Sequence, residues 1–139
     1  MHTIEPSTIQ AYLETDYCVF GRMPFVLRVG IASESLARLY RQYAASSGAF
    51  ITACNPHGLI ASEEANAACQ AELAGELQRR CLDYIEGMGR HPHGDWPAEP
   101  SYFVLGLSLE EARLLGKKYR QNAIVWCGVD AVPELVMLV

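Results

Sequence analysis

An α+β fold is predicted by three observations: capped amphipathic helices over 62–81 and 108–121, short β-branched and aromatic runs on either side of each, and a direct strand-to-strand link between them. From residue 49 the order reads strand 49–55, helix 62–81, strand 83–88, strand 101–107, helix 108–121, strand 122–129 and a last strand 133–139. Residues 1–48 read as a helix/hairpin/helix extension of that core. With 139 residues, 50% of them hydrophobic, the chain has the size and composition of one domain.

Each element has its own warrant. Ser7 and Gln10 stand at capping-box spacing for a first helix to about Glu14, with Ile9 and Leu13 on one face and Pro6 just outside. Asp16 to Phe20 and Phe25 to Gly30 form a hairpin around Gly21 to Pro24. Ser33 opens a helix carrying Leu36, Leu39, Tyr40 and Tyr43, which ends at Ser46 to Gly48. Ser62 caps the next helix, whose Ala65, Cys69, Leu73 and Leu77 share a face, with Glu76 and Arg80 at i,i+4 and a solvated outer face. Ser108 and Glu111 form a second capping box; Leu109, Ala112, Leu115 and Tyr119 make the stripe, and Lys117, Lys118 and Arg120 complement the dipole at the far end.

Two crossing helices with a direct strand link between them define a ferredoxin-like β-α-β-β-α-β antiparallel sheet, here with an extra C-terminal strand. Right-handed crossovers order its strands 4-1-3-2. The runs around Phe50-Ile51, Phe103-Val104 and Val125-Trp126 are apolar on both faces, so a second cover is required. The N-terminal elements or an identical subunit would supply it. The apolar ending Leu135 to Val139 must dock at a sheet edge, which a homodimer interface would also protect.

A net charge of −5 and a pI near 5.3 argue against the basic footprint of a nucleic-acid binder. Met1 to Gln10 lacks the pattern of a signal peptide, and no apolar run reaches the roughly 20 residues of a membrane span, so a cytoplasmic protein with no membrane partner is expected. Five cysteines, odd in number and without a CxxC, read as reduced core thiols.

In this topology three connections meet at one end: the turn Asn55-Pro56-His57-Gly58, the link Gly87 to Pro100, and the turn Arg120-Gln121-Asn122. His91, His93 and Asp95 alternate as a His/His/carboxylate set would, or form a hydrated surface turn. Asn55 suits a metal or phosphate contact, or caps its own turn. His57 offers general acid–base chemistry, or is simply solvated. Glu86 and Glu99 bracket the long link and could bring a carboxylate to its mouth. Lys118 and Arg90 suit phosphate, Trp96 suits base stacking or pins its own loop, and Gln121 and Asn122 could read a ligand or satisfy the turn. Neither a nucleophile elbow nor a phosphate-cradling glycine loop is present.

The segments Ile51-Thr52-Ala53-Cys54-Asn55-Pro56, Gly89-Arg90 through Gly94-Asp95-Trp96-Pro97-Ala98-Glu99, and Gln121-Asn122-Ala123-Ile124 resemble an uncharacterised bacterial family, the domain of unknown function numbered 3293, over nearly the whole chain. That resemblance implies two acids after the Trp-Pro pair; here Ala98 replaces one and Glu99 is kept. From residue 49 the order of elements is also similar to the small CRISPR-associated nucleases of the second Cas protein family. That likeness implies a homodimer, a divalent metal and cleavage of RNA or DNA, with Asn55 where the family carries an aspartate.

The leading expectation is a nuclease using Mg²⁺ or Mn²⁺ held by Asn55, Asp95 and Glu99, with His57 or His93 moving protons and Arg90 or Lys118 on phosphate. The rivals are a dimeric module binding protein or RNA, and a small-molecule enzyme reading its substrate through Asn55, Gln121 and Asn122 at the same edge.

Overall fold

A computed structural model describes residues 3–93 and 97–139. Among these residues four α-helices, α1 (Pro6–Glu14), α2 (Glu34–Tyr43), α3 (Glu63–Arg79) and α4 (Leu109–Lys118), accompany seven strands. The strands are β1 (Asp16–Val19), β2 (Phe25–Leu27), β3 (Gly48–Ile51), β4 (Tyr84–Arg90), β5 (Glu99–Leu105), β6 (Ala123–Cys127) and β7 (Pro133–Met137). They form one antiparallel sheet ordered β2-β1-β4-β5-β3-β6-β7.

Local chemistry sets the helix ends. Ser33 and Ser62 accept from the amides of Leu36 and Ala65, and Ser108 with Glu111 completes the expected capping box. The box expected at Ser7 and Gln10 does not form. Pro6 is the first residue of α1 and Glu5 its N-cap, because a proline has no amide to lose there and its fixed φ already suits the helix. The left-handed Ala44 closes α2, short of Ser46.

Strand β4 is longer than expected. It runs to Arg90 and pairs Gly89 with Glu99, which shortens the long link to 91–98. Glycine is a poor strand residue, yet any Cβ at Gly87 would run into the carbonyl oxygen of Cys18 on β1, so the close approach of these strands requires it. Because register alternates faces, Glu86 pairs with Tyr102 on the side opposite Gly87 and Ser101. It stands within the strand and not at the mouth of the link.

Each face has its own core. On one, Ala49, Ile51, Val104 and Ile124 meet Leu73 and Leu77 of α3 and Ala112 and Leu115 of α4. Two expected members of these stripes turn outward, since Ala65 is exposed and Leu109 is 38% exposed. The opposite face packs Phe50, Phe103, Leu105 and Cys127 against Leu36 and Tyr40 of α2. The second cover is thus supplied within the chain. The hairpin β1-β2 does not cover a face but extends the sheet beside β4.

Leu27 of β2 and Leu135 of β7 come from opposite edges of the sheet yet join this second core, so the sheet curls over that face. The amide of Gly30 donates to the carbonyl of Pro133 at 2.8 Å, and that of Ser33 to Ala131 at 3.0 Å, tying the two edges together. The edge strand β7 pairs with β6 of its own chain. Among the described residues no helix is long and apolar enough to cross a membrane.

Candidate functional site

The concave face is filled at one end by α2 and crossed at the other by α1. Tyr17 of β1 donates its hydroxyl to the carbonyl of Tyr12 at 2.6 Å, and the Asn122 amide donates to the Tyr12 hydroxyl at 3.3 Å. Glu14 stands 3.8 Å from His91. Between α1 and the sheet lies a cavity of about 630 Å³, with Phe50, Val125 and Leu135 as apolar walls and Thr52 and Ser101 as small polar ones.

The three connections expected to converge do so at the rim of this cavity. The amide of His57 donates to the carbonyl of Arg120 at 2.7 Å, and Gln121 Nε2 donates to the carbonyl of Cys54 at 3.0 Å. Asn55 Nδ2 donates to Glu99 Oε2 at 2.6 Å. The turn itself is strained into left-handed backbone at Asn55 (φ 48°), His57 (φ 59°) and Gly58 (φ 74°). Asparagine and glycine adopt that region readily; His57 does so at a cost, a feature common at functional sites.

Asn55 is 5% exposed and satisfied throughout. Its Oδ1 accepts from the Ala61 amide and from Asn66 Nδ2, both at 2.9 Å, and its backbone N–H donates to Asn66 Oδ1 at 2.8 Å. With both lone pairs of that oxygen engaged, the side chain fixes its turn and aims Glu99.

Glu99 stands at the rim of the cavity beside Asn55. Burial raises the pKa of Tyr12, the hydrogen bond from Asn122 opposes this, and the Glu99 charge adds to the rise. Tyr17 is lifted well above the ordinary tyrosine value, by burial first, with Glu99 again contributing. The Cys54 thiol is raised by burial, against a hydrogen bond with Thr52, and Glu99 adds to that as well. One carboxylate therefore acts on three groups around the cavity.

Of the residues singled out from sequence, Asn55, His57, His91, His93, Glu99, Gln121 and Asn122 line the cavity. Glu86, Lys118 and Arg90 do not. Lys118 is 2.7 Å from Glu76 of α3, and the Arg90 guanidinium is 3.8 Å from Cys18 Sγ. Asp95 and Trp96 lie outside the described residues. Sequence reasoning missed Tyr12, Tyr17, Thr52 and Ser101, whose shared role arises from the curl of the sheet. The small residues Gly89 and Ser101 at inward positions of neighbouring strands were the available signal for a hollow there.

Mg²⁺ and Mn²⁺ want several oxygen ligands. Asn55 Oδ1 already accepts two hydrogen bonds, and among the described residues no group of three or more His, Cys, Asp or Glu could hold a metal. The described residues do not fit such an ion.

No curated protein and no solved structure gives a significant match to the chain. A family model does match, over residues 51–124, which is narrower than the span expected from sequence and leaves out α1 and the β1-β2 hairpin. Because that segment exceeds half of the 139 residues and carries the Asn55, Glu99 and Asn122 wall of the cavity, the chain belongs to the family described as Protein of unknown function (DUF3293).

Proposed function

We propose that the protein binds a small organic molecule in the cavity beneath α1 and acts on it as an enzyme, with Glu99 as the group that exchanges a proton with the ligand. The observation carrying this reading is the convergence of three loops and a helix on one hollow of about 630 Å³, within the usual range of small-molecule sites. Its supports are a carboxylate oriented by Asn55, neighbouring amides at Gln121 and Asn122, and apolar walls at Phe50 and Val125. The ion-pairing of Lys118 with Glu76 and the acidic net charge favour a small ligand over a polyphosphate strand.

The metal-dependent nuclease is the second reading. The consecutive strands β4-β5-β3-β6 favour it, since a ferredoxin-like unit carries that order. It requires Asp95 to join Glu99 at the ion, and a homodimer to complete the site.

Thermal-shift screening of the full chain against metabolites, Mg²⁺, Mn²⁺ and nucleotides separates the two, alongside a cleavage assay on labelled RNA and DNA. A metabolite-specific rise that is lost in Glu99→Gln supports the small-molecule reading. Strand cleavage that is abolished by EDTA and by Asp95→Ala overturns it in favour of the nuclease.

A further inference from the structure

The cavity has a definite electrical character. Glu5, Glu14 and Glu99 line it, and no lysine or arginine does so among the described residues. Its bases are His57, His91 and His93, of which His91 stands beside Glu14. Clustered carboxylates alone define no site. Asn122 lines the same cavity and is only 6% exposed, yet among the described residues its Oδ1 has no hydrogen-bond partner. A buried acceptor left unpaired is costly, and such groups are rare unless something fills the place.

The walls add a third feature. Tyr17 and Phe50 meet edge to face with ring centroids 5.1 Å apart, and the Tyr12 hydroxyl accepts from Asn122 Nδ2 at 3.3 Å. Aromatic faces beside a carboxylate attract positive charge. Apolar area for a hydrocarbon body is provided by Val125 and Leu135.

We propose that the ligand is a small organic amine or amidine, protonated when bound, whose N–H groups are received by Asn122 Oδ1 and the Glu99 carboxylate while its hydrocarbon lies against Phe50, Val125 and Leu135. This rests on the reading of the cavity as a ligand site and names the class of molecule it takes. The acceptors select for donors, the carboxylates of the described lining select for a cation, and the ring walls exclude large hydrated groups.

The test is a binding titration of the full chain followed by NMR, reading the methyl signals of Val125 and Leu135. Three probes of similar size are used: phenethylamine, the neutral 3-phenylpropanol, and hydrocinnamate, the corresponding anion. The amine should bind at least about tenfold tighter than either analogue, and Glu99→Gln, which keeps the side-chain shape, should remove about that factor for the amine alone, the difference between a charged and a neutral hydrogen bond. An amide fingerprint of Glu99→Gln matching the parent establishes that the variant is folded. If the alcohol or the acid shifts the same methyls as strongly as the amine, the cation is wrong and the ligand site stands. If none of the three moves them, the ligand site falls with it.

Discussion

The two ends of the concave face are built from the same strands and filled in opposite ways. Toward α2, successive inward positions carry Phe103 and Leu105 on β5 and Cys127 on β6, closed by Leu36 and Tyr40. Toward α1, the next inward positions carry Ser101 and Glu99 on β5 and Gly89 on β4. Phe50 and Val125 stand at the boundary and belong to both regions. The backbone scaffold is continuous across the two. What separates a core from a cavity here is the size and polarity of side chains two residues apart on one strand.

The sharpest way to break that comparison is to exchange its chemistry. Phe103 is wholly buried, and Phe103→Ala should lower the unfolding free energy by about 3–5 kcal/mol in urea titration, through lost burial and the void left behind. Ser101→Val at the hollow end adds bulk and removes only the hydroxyl bond to the Glu99 carbonyl, so it should cost less than about 1.5 kcal/mol. Equal costs at the two positions would mean that the α1 end is as tightly packed as the α2 end.

A smaller effect separates two tyrosines. The Tyr40 hydroxyl lies 3.1 and 3.0 Å from the carbonyls of Cys127 and Gly128, so Tyr40→Phe leaves acceptors short of a partner and should cost about 1–3 kcal/mol. Tyr12 accepts a longer bond from Asn122 beside the cavity, where water can take over, and Tyr12→Phe should cost under about 1 kcal/mol. The same denaturation series measures both. A larger loss at Tyr12 would make α1 an integral part of the core and no mere cover.

These contrasts mark what the sequence could and could not convey. The caps at Ser33 and Ser62 and the capping box at Ser108 depend on three or four consecutive residues, and their chemistry is local. The approach of the Asn55 turn, the described ends of the Gly87 to Pro100 link and the Asn122 turn needed only the order and directions of the elements. By contrast, the pairing of β1 with β4 joins Cys18 to Met88 across seventy residues, and nothing near Cys18 announces it. The buried Gln70 and Glu76 sit on a helix whose pattern promised a wet outer face; Glu76 is held by Lys118, Arg80 and the Tyr119 hydroxyl, partners that only packing brings together. Pro6 was misread because a capping-box spacing beside a proline has two solutions, and the missing amide chose the other.

The finest discrimination between the ends is kinetic. Cys127 at the packed end is wholly buried, and burial with the nearby charges of Asp130 and Glu134 pushes its thiol up to about 12. Cys54 at the cavity rim is 2% exposed and its thiol is raised as well, so neither should react with iodoacetamide while the fold is closed. Their reaction therefore reports opening. Cys54 lies on the loop system beneath α1, a helix with no buried residue, whereas Cys127 is locked under α2 beside the Tyr40 hydroxyl. Local opening of the α1 end should modify Cys54 about tenfold faster than Cys127 under native conditions, with the exposed Cys81 marking the unprotected limit, as read by peptide mass spectrometry over time. Equal rates at Cys54 and Cys127 would show that both ends open only when the whole sheet unfolds, and entry to the cavity would then need no movement of α1.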